Sequence, residues 1–477
     1  MPLILGTNSI KDTGYDVDNS MRLDSGSSSK LSKTFSGDAN SRTTFTISAW
    51  FKRSKLGATQ DLISAYRSSD GFQTDIMRFG STDDFEFYAH STNSSGACDL
   101  QTNRLFRDVG AWYHVVVRVD TTQGTASNRV RIYVNGTQET SFSSSSYMNQ
   151  NGEVVWGIGS GVEHTIGAVG TSNYFGGYVA EVVYLDGQSL DADSFGEFDS
   201  DSPTIWKPKD VSGLTFANNS FYLDFGNSSE LGTDVSGRSN SFTENNIDAQ
   251  DQSTDTCTNN FATMNPLASQ GGSNASSSVA TFTQGNLVVD AISSESVIAN
   301  FGVDTGKWFW EVKVITDQDG LTIGGVNQHF HLDAEIGFNS PSSPSGAKVF
   351  GYYGGNGNKV TTIGDGSQFS SYGNAISVND IIGVALNLDD DEVTFYLNGA
   401  VQNSGTAISL TALESGELYF PAVGNWSGAN VKLSFNFGSP HHSISSGNAD
   451  SEGFGNFEHT VPSGYFALCT KNLAEYG

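Results

Sequence analysis

Acidic residues at two places in the sequence could bind a calcium ion. Asp120 and Asn128 flank a polar loop between two predicted strands, and Asp389 and Asp391 lie in the acidic turn Asp389–Glu392. Calcium takes several oxygen ligands, which loop carboxylates and amides supply. The acidic turn lacks EF-hand spacing, and solvated turn acids are the alternative in each case. We therefore take these four residues as the candidate Ca²⁺ ligands.

A second metal candidate is the histidine pair in the string Gln328-His329-Phe330-His331. On a strand, residues two apart point to the same face, so His329 and His331 could share a metal with Asp333. Two ligands at this spacing are a weak signal, and exposed loop histidines are the alternative.

One segment of the sequence approaches the arrangement of a catalytic carboxylate pair. Glycoside hydrolysis needs one acid and one nucleophile or base on the same face. The nearest arrangement is Glu197–Ser202 (EFDSDS), where a serine stands in the place of a further acid and the segment follows the last strand of its region. We interpret it as a polar exit from a domain. No nucleophilic triad or phosphate-binding loop is found either, so the sequence predicts no catalytic residues and no enzyme.

Four aromatic residues are the candidate ligand contacts. Tyr352, Tyr353, Tyr372 and Trp426 fall in glycine-rich segments that are predicted to be loops. A ring exposed on a loop can stack on the apolar face of a sugar, while neighbouring Asn and Asp bind hydroxyl groups. The tryptophans of the strand segments, such as Trp308 and Trp310, are predicted to fill cores instead.

The net charge and the N-terminal sequence limit the classes of partner that we expect this protein to bind. The net charge is −28, from 52 acidic and 24 basic residues. Such a field repels phosphate backbones and anionic bilayers, so neither nucleic acid nor a membrane is expected as a partner. The N-terminus lacks the basic region of a secretory signal, and no segment has the apolar length of a membrane span. We expect synthesis in a cytoplasm, with exit by lysis or within an assembled particle.

The elements that position these residues are predicted to be strands. Among 477 residues are 54 Gly, 31 Phe and 17 Tyr, a composition that suits strands and tight turns. Thr44–Trp50 alternates, which places Phe45, Ile47 and Ala49 on one face. Trp112–Asp120 is a continuous β-branched segment. Arg129–Val134 alternates and ends in Asn-Gly, the signature of a type I′ hairpin.

The same pattern recurs downstream. Asp380–Leu388 is a buried-strand segment, an acidic turn follows, and Glu392–Leu397 alternates before Asn398-Gly399. Each half of the chain therefore has a long strand, a polar turn, an alternating strand and an Asn-Gly turn. The fold class predicted from this is all-β, with two antiparallel β-sandwich modules and no helix beyond a turn or two near Leu190–Phe195.

Both modules resemble known families. In the first module the telling segments are Ser20–Leu23, Phe45–Phe51, Trp112–Val115, Arg131–Gly136 and Phe175–Gln188. With these segments the module resembles the concanavalin A-like, laminin G-like jelly rolls. In the second module the segments are Gly306–Val312, Ala334–Phe338, Asp380–Leu388, Thr394–Gly399 and Leu418–Val423, and with them it resembles the SPRY domain. Such modules imply binding surfaces, with SPRY recognition mainly on loops.

We predict four parts from these resemblances and from composition. They are a jelly roll over residues 1–200, an irregular connector with a short strand at Ser220–Phe225 over 201–274, a SPRY-like sandwich over 275–438, and a tail over 439–477 that docks on the fold.

Segments of the connector and of the two ends of the chain indicate the biological setting in which the protein acts. Gly6–Tyr15, Trp206–Phe225, Asn245–Ile247, Asp251–Leu267 and Pro462–Leu473 resemble segments of structural proteins of tailed phages, especially marine ones. The resemblance implies a virion surface protein: a tail fibre or adhesin that binds a host-surface glycan or another virion protein, with trimers common in that class. A capsid decoration without a ligand and a glycan depolymerase are the alternatives.

Overall fold

The computed structural model describes residues 11–67, 73–93, 96–271, 280–292, 295–330, 336, 346–362, 369–410, 416–427 and 429–477. The chain divides into two compact units. The first is Thr13–Thr258, and the second contains Asn259–Gly477 with the described residues before Thr13. The predicted all-β class is confirmed, because 44% of the chain is strand and one α-helix is present among the described residues.

The first unit is a sandwich of two antiparallel sheets. Its strands are β1 Ser20–Leu23, β2 Lys30–Lys33, β3 Thr44–Arg53, β4 Gln60–Arg67, β5 Gln73–Phe79, β6 Asp84–His90, β7 Ala97–Leu105, β8 Trp112–Asp120, β9 Val130–Val134, β10 Thr137–Gln138, β11 Phe142–Ser146, β12 Glu163–Ile166, β13 Gly177–Asp186, β14 Gly196–Phe198, β15 Trp206–Pro208, β16 Phe221–Leu223, β17 Thr243–Asn245 and β18 Gln252–Ser253. Sheet A has the order β10-β9-β8-β3-β13-β1-β18, with β16 also on β13. Sheet B has the order β11-β7-β6-β5-β4-β12-β2-β17, and β14 pairs with β15.

The core of the first unit follows the predicted alternation. Phe45, Ile47 and Ala49 of β3 are buried between the two sheets. The hairpin at Asn135-Gly136 is confirmed, with φ values of 45° and 76° that fit a type I′ turn. Successive side chains along a strand point to opposite faces of the sheet, so each sheet has an outer face as well as the face that lines the core.

The second unit is also a sandwich of two sheets. Its elements are β19 Met264–Gly271, β20 Thr281–Thr283, β21 Val288–Ile292, β22 Glu295–Ala299, β23 Lys307–Thr316, β24 Leu321–Asn327, β25 Val349–Tyr353, β26 Asn358–Thr361, β27 Phe369–Ser371, β28 Ile381–Asn387, β29 Glu392–Leu397, β30 Ala400–Val401, β31 Ile408–Ser409, β32 Tyr419–Asn425, β33 Val431–Asn436, β34 Phe466–Ala467 and the helix α1 Thr470–Tyr476. Sheet C has the order β19-β22-β32-β24-β25-β26-β27. Sheet D has the order β20-β21-β33-β23-β28-β29-β30, with β31 on β29 and β34 parallel to β23.

Trp308 and Trp310 lie on the inner face of β23, fully buried in the core of the second unit. The turn at Asn398-Gly399 has φ values of 48° and 76°, the same geometry as in the first unit. The two hairpins predicted from Asn-Gly therefore both form.

The polar stretch after residue 200 divides between the two units. Residues 201–258 belong to the first unit, where β16, β17 and β18 extend its two sheets. The predicted strand Ser220–Phe225 is shorter, Phe221–Leu223. The predicted connector is therefore divided between the two units, with the boundary at 258/259. Its first part belongs to the first unit because scattered apolar residues such as Phe216 and Tyr222 pack on sheet A.

The C-terminal tail packs on the outer face of sheet D. Phe457, Ala467 and Cys469 are buried against Phe309 and Ala385 of that sheet. The tail ends in α1, so the prediction of no helix beyond Leu190–Phe195 is wrong. The helix has seven residues, TKNLAEY, which is too short to show a clear apolar period. In the described part of the chain, no helix has the length and apolarity of a membrane span.

Candidate ligand-binding surface

Long segments and apolar side chains cover three of the four outer sheet faces. On sheet A, Val116, Tyr133 and Val183 pack against residues of the segment 190–222. On sheet D, the tail covers Phe309 and its neighbours. On sheet C, an apolar cluster is completed by Phe330 and Ile336, which come from the segment after β24. Among the described residues, sheet B is left with a mainly polar outer face. On this face Ser64 of β4 and Thr165 of β12 are buried and donate to the Ala168 carbonyl, whereas the β5, β6 and β7 part is half-buried at Arg78, Tyr88 and Gln101.

The outer face of sheet B is set by strict alternation in its strands. In β6, Phe85, Phe87 and Ala89 point into the core, so Asp84, Glu86 and Tyr88 point outward. Tyr88 is half-buried, whereas Asp84 and Glu86 are buried. These residues were not among those predicted from the sequence, although the alternating pattern DFEFYAH indicates a strand with one polar face.

Two cross-strand rows form what we call the sheet B patch. Residues directly opposite on adjacent strands share a face and lie within contact distance. The first row is Thr165, Ser64, Ile76, Tyr88 and Asp99, and the second row is Asp61, Arg78, Glu86 and Gln101. Tyr66 lies on the same face of β4, two residues beyond Ser64.

Arg78 is the centre of the second row. Its Nε and Nη2 donate to the two carboxylate oxygens of Glu86, at 2.9 Å each. This bidentate fork holds the guanidinium plane in a fixed orientation on the open face. Next in the row, Gln101 donates from Nε2 to Asp84 Oδ2 at 2.6 Å. The polar groups of the patch are therefore pre-positioned by one another.

Asp61, on the other side of Arg78, differs from the rest of the row. Its side chain is fully buried, and neither carboxylate oxygen accepts a hydrogen bond within the described part of the chain. Burial raises the pKa of Asp61 to about 6, a rise that the nearby Asn173 side chain and Arg78 oppose and Glu86 reinforces. Part of the Asp61 population is thus protonated in mildly acidic solution.

Two tyrosine rings flank the rows. Tyr66 and Tyr88 are both half-buried. The Tyr66 ring packs against Gly170, where an added Cβ would lie 3.3 Å from the ring. Lys30 Nζ donates to the Gly170 carbonyl at 2.6 Å and to Glu163 Oε1 at 3.0 Å, which fixes that loop beside the patch. Rings beside hydrogen-bonding groups are the usual elements of a polar-ligand site.

The three candidate ligand-contact tyrosines of the second unit are buried, not exposed on loops. Tyr352 and Tyr353 lie in β25, and Tyr352, Tyr353 and Tyr372 are 0%, 9% and 5% exposed. Tyr352 stacks on Phe395 with ring centroids 5.4 Å apart, and burial raises its pKa to about 12. The prediction that these rings are exposed on loops is therefore wrong.

The physical reason lies in the neighbouring glycines. Gly351 sits where a Cβ would be 2.6 Å from the side chain of Thr322 on the adjacent strand, so glycine here permits close strand packing rather than a loop. Trp426 directly follows β32 and is half-buried. Its role as a ligand contact stays a prediction.

Three of the four candidate calcium ligands, Asp120, Asn128 and Asp389, accept hydrogen bonds on their side chains from within the chain. Asp120 accepts from the side chains of Thr122 and Gln123, both at 2.6 Å, and Asn128 Oδ1 accepts from Arg131 at 2.8 Å. Hydrogen bonds from Thr122 and Gln123 outweigh partial burial and lower the pKa of Asp120.

In the acidic turn, Asp389 accepts from the Gly306 amide at 2.9 Å, and Asp391 has a φ of 53°. No group of three His, Cys, Asp or Glu side chains in the described residues is arranged to hold a metal ion. Calcium binding at these four residues stays a prediction.

The histidine candidate lies partly outside the described residues, because His331 and Asp333 are not among them. His329 is described, and its Nε2 lies 3.6 Å from Glu417 Oε1. Glu417 also accepts from Lys348 and from the Tyr419 hydroxyl, at 2.8 and 2.6 Å. The described part of the string therefore belongs to a polar cluster at one end of sheet C.

Comparison with known proteins identifies the two domain classes. Residues 24–192 match the model of the concanavalin A-like lectin/glucanases superfamily, and residues 307–440 match that of the SPRY domain. The chain therefore carries a concanavalin A-like, laminin G-like domain followed by a SPRY domain, which confirms the two family resemblances.

Individual proteins match only parts of the chain. The ATP-dependent RNA helicase Ddx1 of Drosophila melanogaster is 32% identical over 146 residues, covering 30% of this chain and 17% of that protein. The chain thus spans less than a fifth of the length of the curated relatives it matches. The SPRY domain of human HERC1 is 16% identical over 36% of this chain and 96% of its own, with a TM-score of 0.28. The native heptameric SAP-like pentraxin from Limulus polyphemus is 17% identical over 37% of this chain and 79% of its own, with a TM-score of 0.27.

Proposed function

We propose that this protein is a non-enzymatic surface protein of a tailed-phage particle that binds a glycan through the sheet B patch. One observation carries the proposal: sheet B presents a polar outer face with two flanking tyrosine rings, while the other three outer faces are covered. The solvent-accessible part of that face is formed by the half-buried side chains of Arg78, Tyr88, Asp99 and Gln101. Polar groups that contact water can exchange those bonds for bonds with a ligand at low cost.

The chemistry of the patch fits a saccharide. Sugar hydroxyl groups donate and accept hydrogen bonds, and the C–H faces of sugar rings stack on aromatic rings. Asp99 offers an acceptor, and Arg78 offers the N–H groups that Glu86 does not use. Tyr66 and Tyr88 supply the stacking surfaces on either side.

The charge of the sheet B patch limits which saccharides we expect to bind there. Within the two rows, Asp61, Glu86 and Asp99 are acidic, and Arg78 is the one basic side chain. Because Arg78 is already paired with Glu86, the patch has excess negative charge, which repels anionic ligands. We therefore expect neutral or amine-bearing glycans to bind, and sialylated, uronic acid or phosphorylated glycans to be rejected.

The phage setting is supported by the resemblance of the segments at 6–15, 206–225, 245–247, 251–267 and 462–473 to virion proteins. In that setting other virion proteins are partners, and we propose a homo-oligomer, with a trimer as the form common in fibres. A capsid decoration is the alternative location. Negative-stain imaging of particles that carry a labelled copy of the protein would separate the tail from the capsid.

A glycan depolymerase is a second candidate function, favoured by one observation. Asp61 and Glu86 lie on one face, and burial raises the pKa of both carboxyl groups. A protonated and an ionised carboxylate together can act as acid and base. Release of reducing ends from a bound polysaccharide that stops in Asp61→Asn would support the depolymerase over the adhesin.

The test of the proposed function is a glycan array with the whole protein, with and without calcium. Wild type is expected to bind a set of neutral or amine-bearing glycans, and Arg78→Ala and Tyr88→Ala should weaken binding at least about tenfold. Arg238→Ala and Phe198→Ala are matched controls, because both side chains are exposed on the same unit away from the patch. If the wild-type protein binds no glycan with or without calcium, the adhesin function is contradicted and the capsid decoration without a ligand is the remaining hypothesis.

A further inference from the structure

Lys52 and Asp255 form a buried pair on the outer face of sheet A. Phe51 of β3 points into the core, so Lys52 points outward, between its cross-strand neighbours Trp112 of β8 and Tyr178 of β13. Lys52 Nζ lies 2.8 Å from Asp255 Oδ2, and both side chains are almost fully buried. The two residues are 203 positions apart in the sequence. The fold therefore holds an amine and a carboxyl group in contact across most of the unit.

Aromatic rings and hydrogen bonds hold the pair in place. Lys52 Nζ lies 5.4 Å from the centroid of the Tyr178 ring, and the ring centroids of Trp112 and Tyr178 are 6.2 Å apart. Trp112 Nε1 donates to the other carboxylate oxygen, Asp255 Oδ1, at 3.0 Å. The Ser20 hydroxyl donates to the Asp255 backbone carbonyl at 2.6 Å. Two reactive groups that are fixed side by side and enclosed from solvent react far more readily than the same groups free in water.

A third ionisable group acts on this pair. Asp108 interacts electrostatically with Lys52, and its carboxylate accepts from the Gly110 amide at 2.8 Å. Burial raises the pKa of Asp108, a rise that the Gly110 amide and Lys52 oppose. Burial lowers the pKa of Lys52, and Asp255 and Asp108 oppose that shift. Both burial effects favour uncharged forms, which are an amine that can attack and an acid that can transfer a proton.

We propose that Lys52 and Asp255 become joined by an isopeptide bond, with Asp108 as the group that transfers a proton during its formation. The ion pair is the state before the reaction. One proton passes from the Lys52 ammonium to Asp255 Oδ2, which leaves a neutral amine and a neutral acid. The proposal is independent of the proposed glycan binding, which lies on sheet B.

The bond then forms with the loss of one water molecule. The Lys52 nitrogen attacks Cγ of Asp255, and the bond from Cγ to Oδ2 breaks. Asp108 carries a second proton from the nitrogen to Oδ2, which leaves as water, and the third ammonium proton stays on the amide nitrogen. Oδ1 becomes the amide oxygen, and the Trp112 N–H stabilises the negative charge that develops on it. One positive and one negative charge disappear together, and the reaction needs no oxidant or reductant.

A second lysine pair of the same unit lacks these conditions. Lys30 Nζ lies 3.0 Å from Glu163 Oε1, but the Glu163 side chain is partly exposed. Lys30 Nζ also donates to the Gly170 carbonyl at 2.6 Å. Because water reaches this carboxylate, the pair stays ionic and serves as an internal control.

The isopeptide bond fastens the end of the stretch 201–258 covalently to β3. The three cysteines of the chain are free, so this attachment does not duplicate a disulfide. A cross-link between positions so far apart restricts the unfolded chain strongly, which stabilises the sandwich.

The intact mass of the whole, denatured protein tests the proposal. Wild type is expected to be lighter than its sequence by one water molecule. Lys52→Arg should have its full sequence mass, because a guanidinium keeps the charge but is not an amine that can attack. Lys55→Arg is the matched control, because Lys55 is exposed on the same unit, and it should show the wild-type loss. In Asp108→Asn, a larger fraction of the protein should keep its full mass.

A protease digest of wild type locates the bond and keeps the proposal testable if Lys52→Arg does not fold. It should contain a branched peptide that joins Lys52 to Asp255, whereas Lys30 and Glu163 should lie in unlinked peptides. Wild type at its full sequence mass would overturn the proposal, as would a loss of water that persists in Lys52→Arg. Equal fractions of linked protein in wild type and Asp108→Asn would overturn the role of Asp108.

Discussion

Lys52 and Asp255 form an ion pair with 2.8 Å between Nζ and Oδ2, and their side chains are 1% and 2% exposed. Lys52 lies in β3 of sheet A, and Asp255 lies in the polar stretch that the sequence reading assigned to a connector. Trp112 Nε1 donates to the other oxygen of Asp255 at 3.0 Å. One buried carboxylate thus fixes the end of that stretch to the sandwich.

Removal of this carboxylate should strongly destabilise the protein. Asp255→Ala leaves the Lys52 ammonium buried without its carboxylate, so we expect the free energy of unfolding to fall by about 3–5 kcal/mol. Urea denaturation of the whole protein would measure it. Asp193→Asn, an exposed acid of the same unit, serves as the control. A loss below about 1 kcal/mol in Asp255→Ala would show that the pair does not fix the segment.

The buried carboxyl of Asp61 should make the free energy of unfolding fall as the pH rises. Its pKa is raised from 3.8 to about 6, so the native state binds its proton more tightly than the unfolded state. The stability that this proton confers is present below pH 3.8 and is lost as the pH rises to about 6.

Asp61→Asn should therefore be more stable than wild type at about pH 8, by roughly 1–3 kcal/mol, and similar to it in acid. Thermal unfolding at several pH values would measure the difference. Asp99→Asn, on the same face but half-buried, should show little change. An Asp61→Asn protein that is less stable at pH 8 would mean that the ionised carboxylate has a partner in solution.

Gly136 should not tolerate a side chain. Its φ is 76°, and a Cβ there would lie 2.3 Å from the Trp206 ring. Trp206 in turn stacks on His114, to which its Nε1 donates at 3.0 Å, so the ring cannot shift freely.

We expect Gly136→Ala to lower the free energy of unfolding by about 2 kcal/mol or more, from backbone strain and the clash together. Chemical denaturation checks this. Gly124→Ala, where nothing lies within 4 Å of the added Cβ, should change stability little. Equal stability of the two variants would be inconsistent with the packing of Trp206 on this turn.

Local patterns in the sequence predicted the sandwich class and several strands closely. Trp112–Asp120 and Glu392–Leu397 match their predicted bounds, and both Asn-Gly hairpins form. These features depend on alternation and turn chemistry, which are encoded within a few residues.

Features that depend on distant pairing were not predictable in the same way. Tyr352 is buried because its strand, β25, pairs with β24 and because its ring stacks on Phe395. The glycine-rich sequence around Tyr352 gives no sign of either contact. The covering of sheet A depends on single apolar residues spaced widely in a polar stretch. Once three outer faces are covered in this way, the sheet B patch becomes the distinctive surface, and no local motif marks it.

Hydroxyl-radical footprinting with a glycan selected from the array tests the central claim most directly. We predict that the glycan lowers oxidation of Tyr66 and Tyr88 on sheet B and leaves oxidation of Trp426 in the second unit unchanged. Protection of Trp426 without protection of Tyr66 and Tyr88 would contradict it, and would place binding on the second unit instead.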